Sequence, residues 1–198
     1  MLLIVIDVFG RTDEARPFSK LKIMSCAQTL SGIAKDCEPN MGGIVEVYLA
    51  NKTDVSAIQV TDGQVKGITM STSAKMKLYS FRRQSGSLTS TYTIDQTTGV
   101  NFVTTELFMP FNRMETAKRV EVSAMAVGEL VALVKDANGK YWYLGNDGPL
   151  MASAAVGQTG TKTADKNSYD VTLSCESKEM PFEVLVGEGG VDLSSITD

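Results

Sequence analysis

NRMETAKRVEVSAMAVGELVALVKDANGKYWYLG, running from Asn112 to Gly145, is the stretch whose reading decides the fold. Asn112 stands three positions before Glu115, the spacing of a helix N-cap acceptor answered by a carboxylate one turn on. Ala117, Val120, Ala124 and Val127 follow at steps of three and four, which predicts one apolar stripe of a helix over about 113–128. Gly128 ends that period. Glu129 to Asp136 (ELVALVKD) then reads as a strand, Asn138-Gly139 as a hairpin turn, and Lys140 to Gly145 (KYWYLG) as the returning strand. One helix feeding a hairpin implies a β-scaffold with a single helix packed on it.

Outward from that stretch the chain is short strands and turns. Asp36 to Gly43 (DCEPNMGG) is a loop broken by Pro39, Asn40 and the Gly42-Gly43 pair. Ile44 to Ala50 reads as a strand with Val45, Val47 and Leu49 on one face and Glu46 and Tyr48 on the other. Strands are expected at 55–60 and 64–70 around Asp62-Gly63. From Lys75 to Arg83, Met76, Leu78 and Ser80 alternate with Lys77, Tyr79 and Phe81. From Leu88 to Ile94, Leu88, Ser90, Tyr92 and Ile94 alternate with Thr89, Thr91 and Thr93, and Val100 to Phe111 returns as a strand ending at Pro110. Apolar residues on one face and Ser or Thr on the other are the pattern of an antiparallel sheet with one solvated face. Met151 to Val156 is a small-residue strand or linker, and Gly157 to Asn167 a polar loop with turn positions at Gly160 and Asp165. Tyr169, Val171, Leu173 and Cys175 share one strand face; Phe182, Val184 and Val186 share another. The expected fold is mainly β, an antiparallel β-sandwich or small barrel with one packed helix and extended hairpins. Residues 1–23 read as an N-terminal extension or arm, 24–186 as the core, and 187–198 as a loop-like tail.

Composition narrows the chemistry. The 198 residues carry a net charge of −4 and no histidine. The commonest general base and commonest metal ligand are therefore missing, and no Ser-His-Asp triad can form. Scattered basic residues give no phosphate-gripping patch. Cys26, Cys37 and Cys175 have no CxxC spacing; they read as free thiols, with a Cys26–Cys37 pair as the alternative. No run approaches the ~20 apolar residues of a membrane span. Gly157 to Thr163 (GQTGTKT) has Gly, Lys and Thr but not the phosphate-loop spacing. Glu176, Glu179 and Glu183 bracket a turn, and of Tyr141, Trp142 and Tyr143 at most two share a strand face. No catalytic, cofactor-binding or metal-binding residue is nominated, and an enzyme is not expected.

Three segments carry a family resemblance: Cys37-Glu38-Pro39-Asn40 with Gly42-Gly43-Ile44, then Val134 through Trp142, then Thr159-Gly160 through Asp165 into Tyr169 to Leu173. Together with the helix-hairpin they resemble tail tube proteins of tailed bacteriophages, the inner-tube proteins of contractile injection systems, and virion-like proteins of Bacteroidetes phages and prophages. The resemblance covers residues 24–186. It implies a structural virion protein of the tail, assembled in a bacterial cytoplasm as stacked, hexameric rings through which DNA passes without sequence-specific contact. Its partners would be further copies of itself and other tail proteins, with no cofactor and no membrane insertion. Thr89, Thr91 and Thr93 would then face the channel, and the hairpin around 84–100 would reach the next ring. Other readings are a head decoration, connector or tail terminator, or a carbohydrate-binding or adhesin module.

Overall fold

The computed structural model describes residues 30–198; the expectations for residues 1–23 and for Cys26 lie outside the described residues. Residues 30–38 belong to a unit separate from the body at 39–198 and are exposed, without helix or strand.

The body contains eleven strands. They are β1 (Ile44–Asn51), β2 (Val55–Thr61), β3 (Gln64–Met70), β4 (Lys77–Tyr79), β5 (Ser87–Asp95) and β6 (Val100–Asn112), then β7 (Leu130–Asp136), β8 (Tyr141–Leu144), β9 (Met151–Gln158), β10 (Ser168–Ser177) and β11 (Phe182–Val184). Helix α1 spans Thr116–Val127 between β6 and β7, and a short helix α2 spans Leu193–Ile196. The strands form a seven-stranded sheet, ordered β2-β3-β11-β8-β7-β1-β4, and a four-stranded sheet, ordered β5-β6-β10-β9. All named pairs are antiparallel except β11 with β3. The sheets stay separate, so the fold is a sandwich and not a closed barrel.

β7 explains the two-sided core. Leu130, Ala132 and Val134 pack between the sheets with Val47, Leu107, Met109, Val171 and Leu173. Val131 and Leu133 point the other way, into a second cluster with Val65, Met76, Tyr143 and Val184. An uninterrupted apolar run suits a strand covered on both faces. The second cluster is closed by the C-terminal segment. Val191 and Ile196 are each 3% exposed. Met76 N–H donates to Ile196 O at 2.8 Å, and Asp198 N–H to Met76 O at 3.2 Å. The stretch 187–198, expected as a loop-like tail, is thus part of the core, because Val191, Leu193 and Ile196, spaced along it, pack on the outer face of the larger sheet.

Other expectations change locally. Asn112 does not cap the helix. It is the last residue of β6, opposite Ser168, because the β6–β10 ladder outlasts the helix signal. The chain then turns at Arg113 (φ +63°). Asn167 Oδ1 accepts from Met114 N at 2.9 Å. Glu115 becomes the N-cap with no side-chain cap bond, its carboxylate beside Arg113 at 3.3 Å and Lys118 at 3.5 Å. The expected stripe is also on the wrong side of α1: Ala117, Val120, Ala124 and Val127 are exposed, whereas Val122 and Met125 are buried against the inter-sheet core. A bulge between Ile44 and Glu46 turns Val45 outward, away from the face expected for it. In 75–83 only Lys77–Tyr79 is strand; Met76 is buried, Leu78 is exposed, and Tyr79 and Phe81 pack on the inter-sheet core. Pro110 lies inside β6 and does not end it. β5 stops at Ser87 opposite Phe108, so beyond that point, among the described residues, one side of β6 has no strand that would need the missing N–H.

Candidate assembly surface

The four-stranded sheet has two different faces. Its inner face carries Val103, Thr105, Leu107 and Met109 of β6 with Val171, Leu173 and Cys175 of β10, all buried. Its outer face carries Thr89, Thr91 and Thr93 of β5, which lie opposite Glu106, Thr104 and Phe102 of β6. Ser174 and Glu176 of β10 continue those rows, as do Thr172 and Asp170 opposite Phe108 and Pro110. Thr89, Thr91 and Thr93 are exposed, as an outward face requires. The face is therefore hydroxyl-rich, with carboxylates at Glu106, Asp170 and Glu176. Lys166 borders it, with its ammonium 2.7 Å from Asp170 and 5.6 Å from the centre of the Phe108 ring.

The edges of this sheet are its second feature. β5 is nine residues with one charge, Asp95 at its end; β9 is eight residues with none. Among the described residues neither edge pairs with a further strand or carries Lys or Pro, and long edges of that kind are what soluble sheets ordinarily avoid. The seven-stranded sheet guards its own edges. β2 is bulged twice in seven residues. β4 has three residues, and the bridge between Met76 and Thr197 occupies its approach. β9 has one irregularity, at Ser153, and β5 has none.

The β5–β6 hairpin runs past the sandwich, and residues 91–101 are all exposed. Its turn is preorganised. Asp95 accepts from Thr98 Oγ1 at 2.7 Å and Thr97 N at 2.8 Å, bonds that hold its carboxyl below the usual range, the Thr98 hydroxyl first. On the inner face Tyr92 is 41% and Ile94 65% exposed, because the larger sheet does not reach them. At the base of the hairpin the sheets part to leave a cleft of about 400 Å³. Leu88 and Ser90 wall it on one side, Ile44 and Trp142 on the other, with Met41 and Met180 also lining it. Trp142 is half-buried there, its Nε1 donating to Asp136 Oδ2 at 3.0 Å.

Gly42, Gly43, Asn138, Gly139, Gly160 and Asp165 all lie in segments between strands or before β1. Gly43 (φ +100°) accepts at its carbonyl from Ala137 N, and Met41 N donates to Asn138 Oδ1, so the Gly42-Gly43 loop is tied to the β7–β8 turn. Gly139 (φ +83°) takes the left-handed position of that turn, and Asp136 Oδ1 binds the backbone N–H of Asn138 and Lys140. Between β9 and β10, Asp165 Oδ2 accepts from Thr161 N and Lys162 N, and a side chain on Gly160 would collide with Asp165. No helix follows this loop, as a phosphate loop would need. Glu183 pairs with Lys140, while Glu176 and Glu179 are exposed. Cys37 is an exposed free thiol. Cys175 is buried, which pushes its thiol up against the lesser opposite pull of Gly145 N–H and Lys52. Among the described residues no group of three potential metal ligands comes together, and no helix is long and apolar enough to cross a membrane.

No family model, no curated protein and no solved structure matches this chain.

The β9 edge and the cleft were not nominated from the sequence. An eight-residue run without charge or proline was the available signal for β9; the cleft has none, since its walls come from both sheets.

Proposed function

We propose that this protein is a structural subunit of a tube, assembling into rings of the kind found in phage tails. The observation that carries the reading is the four-stranded sheet with two long edges at its opposite sides, neither paired with a further strand among the described residues. A closed ring satisfies both edges at once by a head-to-tail contact, whereas a lone copy leaves both open. The outer face of that sheet supports a role as channel wall. Hydroxyls and carboxylates offer no array of cations to hold phosphates, so DNA would pass without being retained. The hairpin tip, reaching beyond the sandwich, is suited to touch the next ring. Hexameric symmetry comes from the family resemblance alone. The test is negative-stain electron microscopy of the purified full chain over a range of concentrations. Rings or tubes with a central channel are expected. A protein that stays monomeric at the highest concentration overturns the reading.

A further inference from the structure

We propose that the cleft at Trp142 is the seat for helix α1 of a second copy whose β9 pairs with β5. The proposal rests on the ring reading above and specifies its contact.

The first support is strand direction. The sheet order β5-β6-β10-β9 is antiparallel throughout, so β5 and β9 run in opposite directions. Repeating the sheet by rotation places β9 of one copy antiparallel to β5 of the next, with no reversal of faces.

The second support is register. Ser87, Phe108, Thr172 and Ala154 lie in one row across the sheet. From that row β5 extends one way, to Asp95, and β9 mostly the other way, to Gln158. Full overlap of the two edges therefore requires a climb of about five residues from one copy to the next. An odd climb would place outward residues opposite inward ones, so about four or about six residues is required. Spread over four strands, such climbs tilt the strands by about 35° or about 46°, at the two ends of the ~35–45° that closed barrels adopt. A climb of about four sets Thr91 opposite Ala154 of the partner copy; one of about six sets it opposite Val156.

The third support is what the climb does to α1. The helix rests on the inner face at the rows of Met109, Phe111 and Val171, and Met114 at its start lies beside Gly157 of β9. Raised by that stagger, α1 of the second copy reaches the rows of Leu88, Ser90 and Tyr92. Leu88 and Ser90 line the cleft, and Tyr92 beyond them is 41% exposed. Glu121 marks the flank of α1 that faces its own β4, since Tyr79 Oη donates to it at 2.9 Å. Arg119 and Ser123 are on the opposite flank, two residues to either side of Glu121 on a 3.6-residue turn. That flank is exposed, and the helix that carries it packs on the edge strand β9. Arg119 makes no side-chain ion pair or hydrogen bond among the described residues. The cleft offers it the Trp142 indole and the Asp136 carboxylate.

The experiment uses the full chain carrying Cys26→Ser and Cys37→Ser, with either Thr91→Cys plus Ala154→Cys or Thr91→Cys plus Val156→Cys. All three introduced sites are exposed, so folding is spared. One pair is expected to yield a ladder of disulfide-linked oligomers under mild oxidation. Trp142, the one tryptophan of the chain, reports the seat: its emission is expected to move to shorter wavelength on assembly. Arg119→Glu is expected to weaken assembly at least tenfold in concentration while circular dichroism stays unchanged. Oligomers that form without a ladder in either pair overturn this contact and leave the ring reading standing. A ladder with unshifted Trp142 emission overturns the helix seat. A chain that is monomeric throughout removes both.

Discussion

Replacing Ile196 with Ala tests whether the last twelve residues belong to the core. Ile196 is 3% exposed and packs with Val191, Met76 and Tyr143 against the outer face of the larger sheet. Its carbonyl also accepts from Met76 N at 2.8 Å, so backbone pairing holds the side chain in place. Removing a buried isoleucine to its Cβ forfeits transfer energy and leaves a cavity that neighbours refill only in part, about 2–5 kcal/mol in well-packed cores. The segment is terminal and can relax, which favours the lower half of that range, about 3 kcal/mol. With a urea m-value of about 2 kcal/mol/M, the unfolding midpoint falls by about 1.5 M. Urea titration followed by Trp142 fluorescence measures this directly, with the 46%-exposed Leu78→Ala as the comparison. A loss at Ile196 no greater than that at Leu78, or under about 0.5 kcal/mol, refutes the assignment of the tail to the core.

Three further outcomes are expected. On α1, Met125→Ala should cost about 2–4 kcal/mol in a urea titration, while Val120→Ala and Val127→Ala should stay within about 0.5 kcal/mol; the reverse ranking would restore the stripe read from the sequence. Tyr143 is 1% exposed, and its hydroxyl has no hydrogen-bond partner among the described residues. Tyr143→Phe is therefore expected to be neutral or to stabilise by about 1 kcal/mol, and a clear loss in thermal or urea unfolding would mean that the hydroxyl is bonded. Burial, and then the hydrogen bond to Glu121, push the Tyr79 phenol up from 10.0 to about 12. The folded state holds that proton more tightly than the unfolded chain, so the contribution is fully present below about pH 10 and is lost as pH rises toward about 12. Tyr79→Phe should flatten the alkaline limb of a stability–pH curve, and an unchanged limb would exclude Tyr79 as its source.

Which parts of the fold were legible follows from the range of the forces involved. The β7–β8 hairpin was readable because Asn138-Gly139 satisfies a local backbone demand, and Gly139 does adopt φ +83°. β5 and β6 were readable because alternation repeats over many residues, and Thr89, Thr91 and Thr93 are indeed on the solvent side. The start of α1 was misread because two local signals competed. Asn112 has a good capping side chain, but its backbone is already committed to Ser168 of β10, far along the chain. The helical stripe failed for a related reason. Val120 and Val127 are apolar, yet the side of a helix that is buried is set by where the sheets stand, and here that side takes Val122 and Met125.

By itself the amino-acid order determined the β class, the single long helix, the turns and the absence of histidine chemistry, since each depends on residue type or on spacing within one element. Only the tertiary structure decided which edges are free among the described residues, that the C-terminal segment completes a core, and that a cleft opens at Trp142. Each of those depends on pairings between residues far apart in the chain. An edge is free only because no other strand reached it, and that is a property of the whole sheet rather than of the strand that bears it.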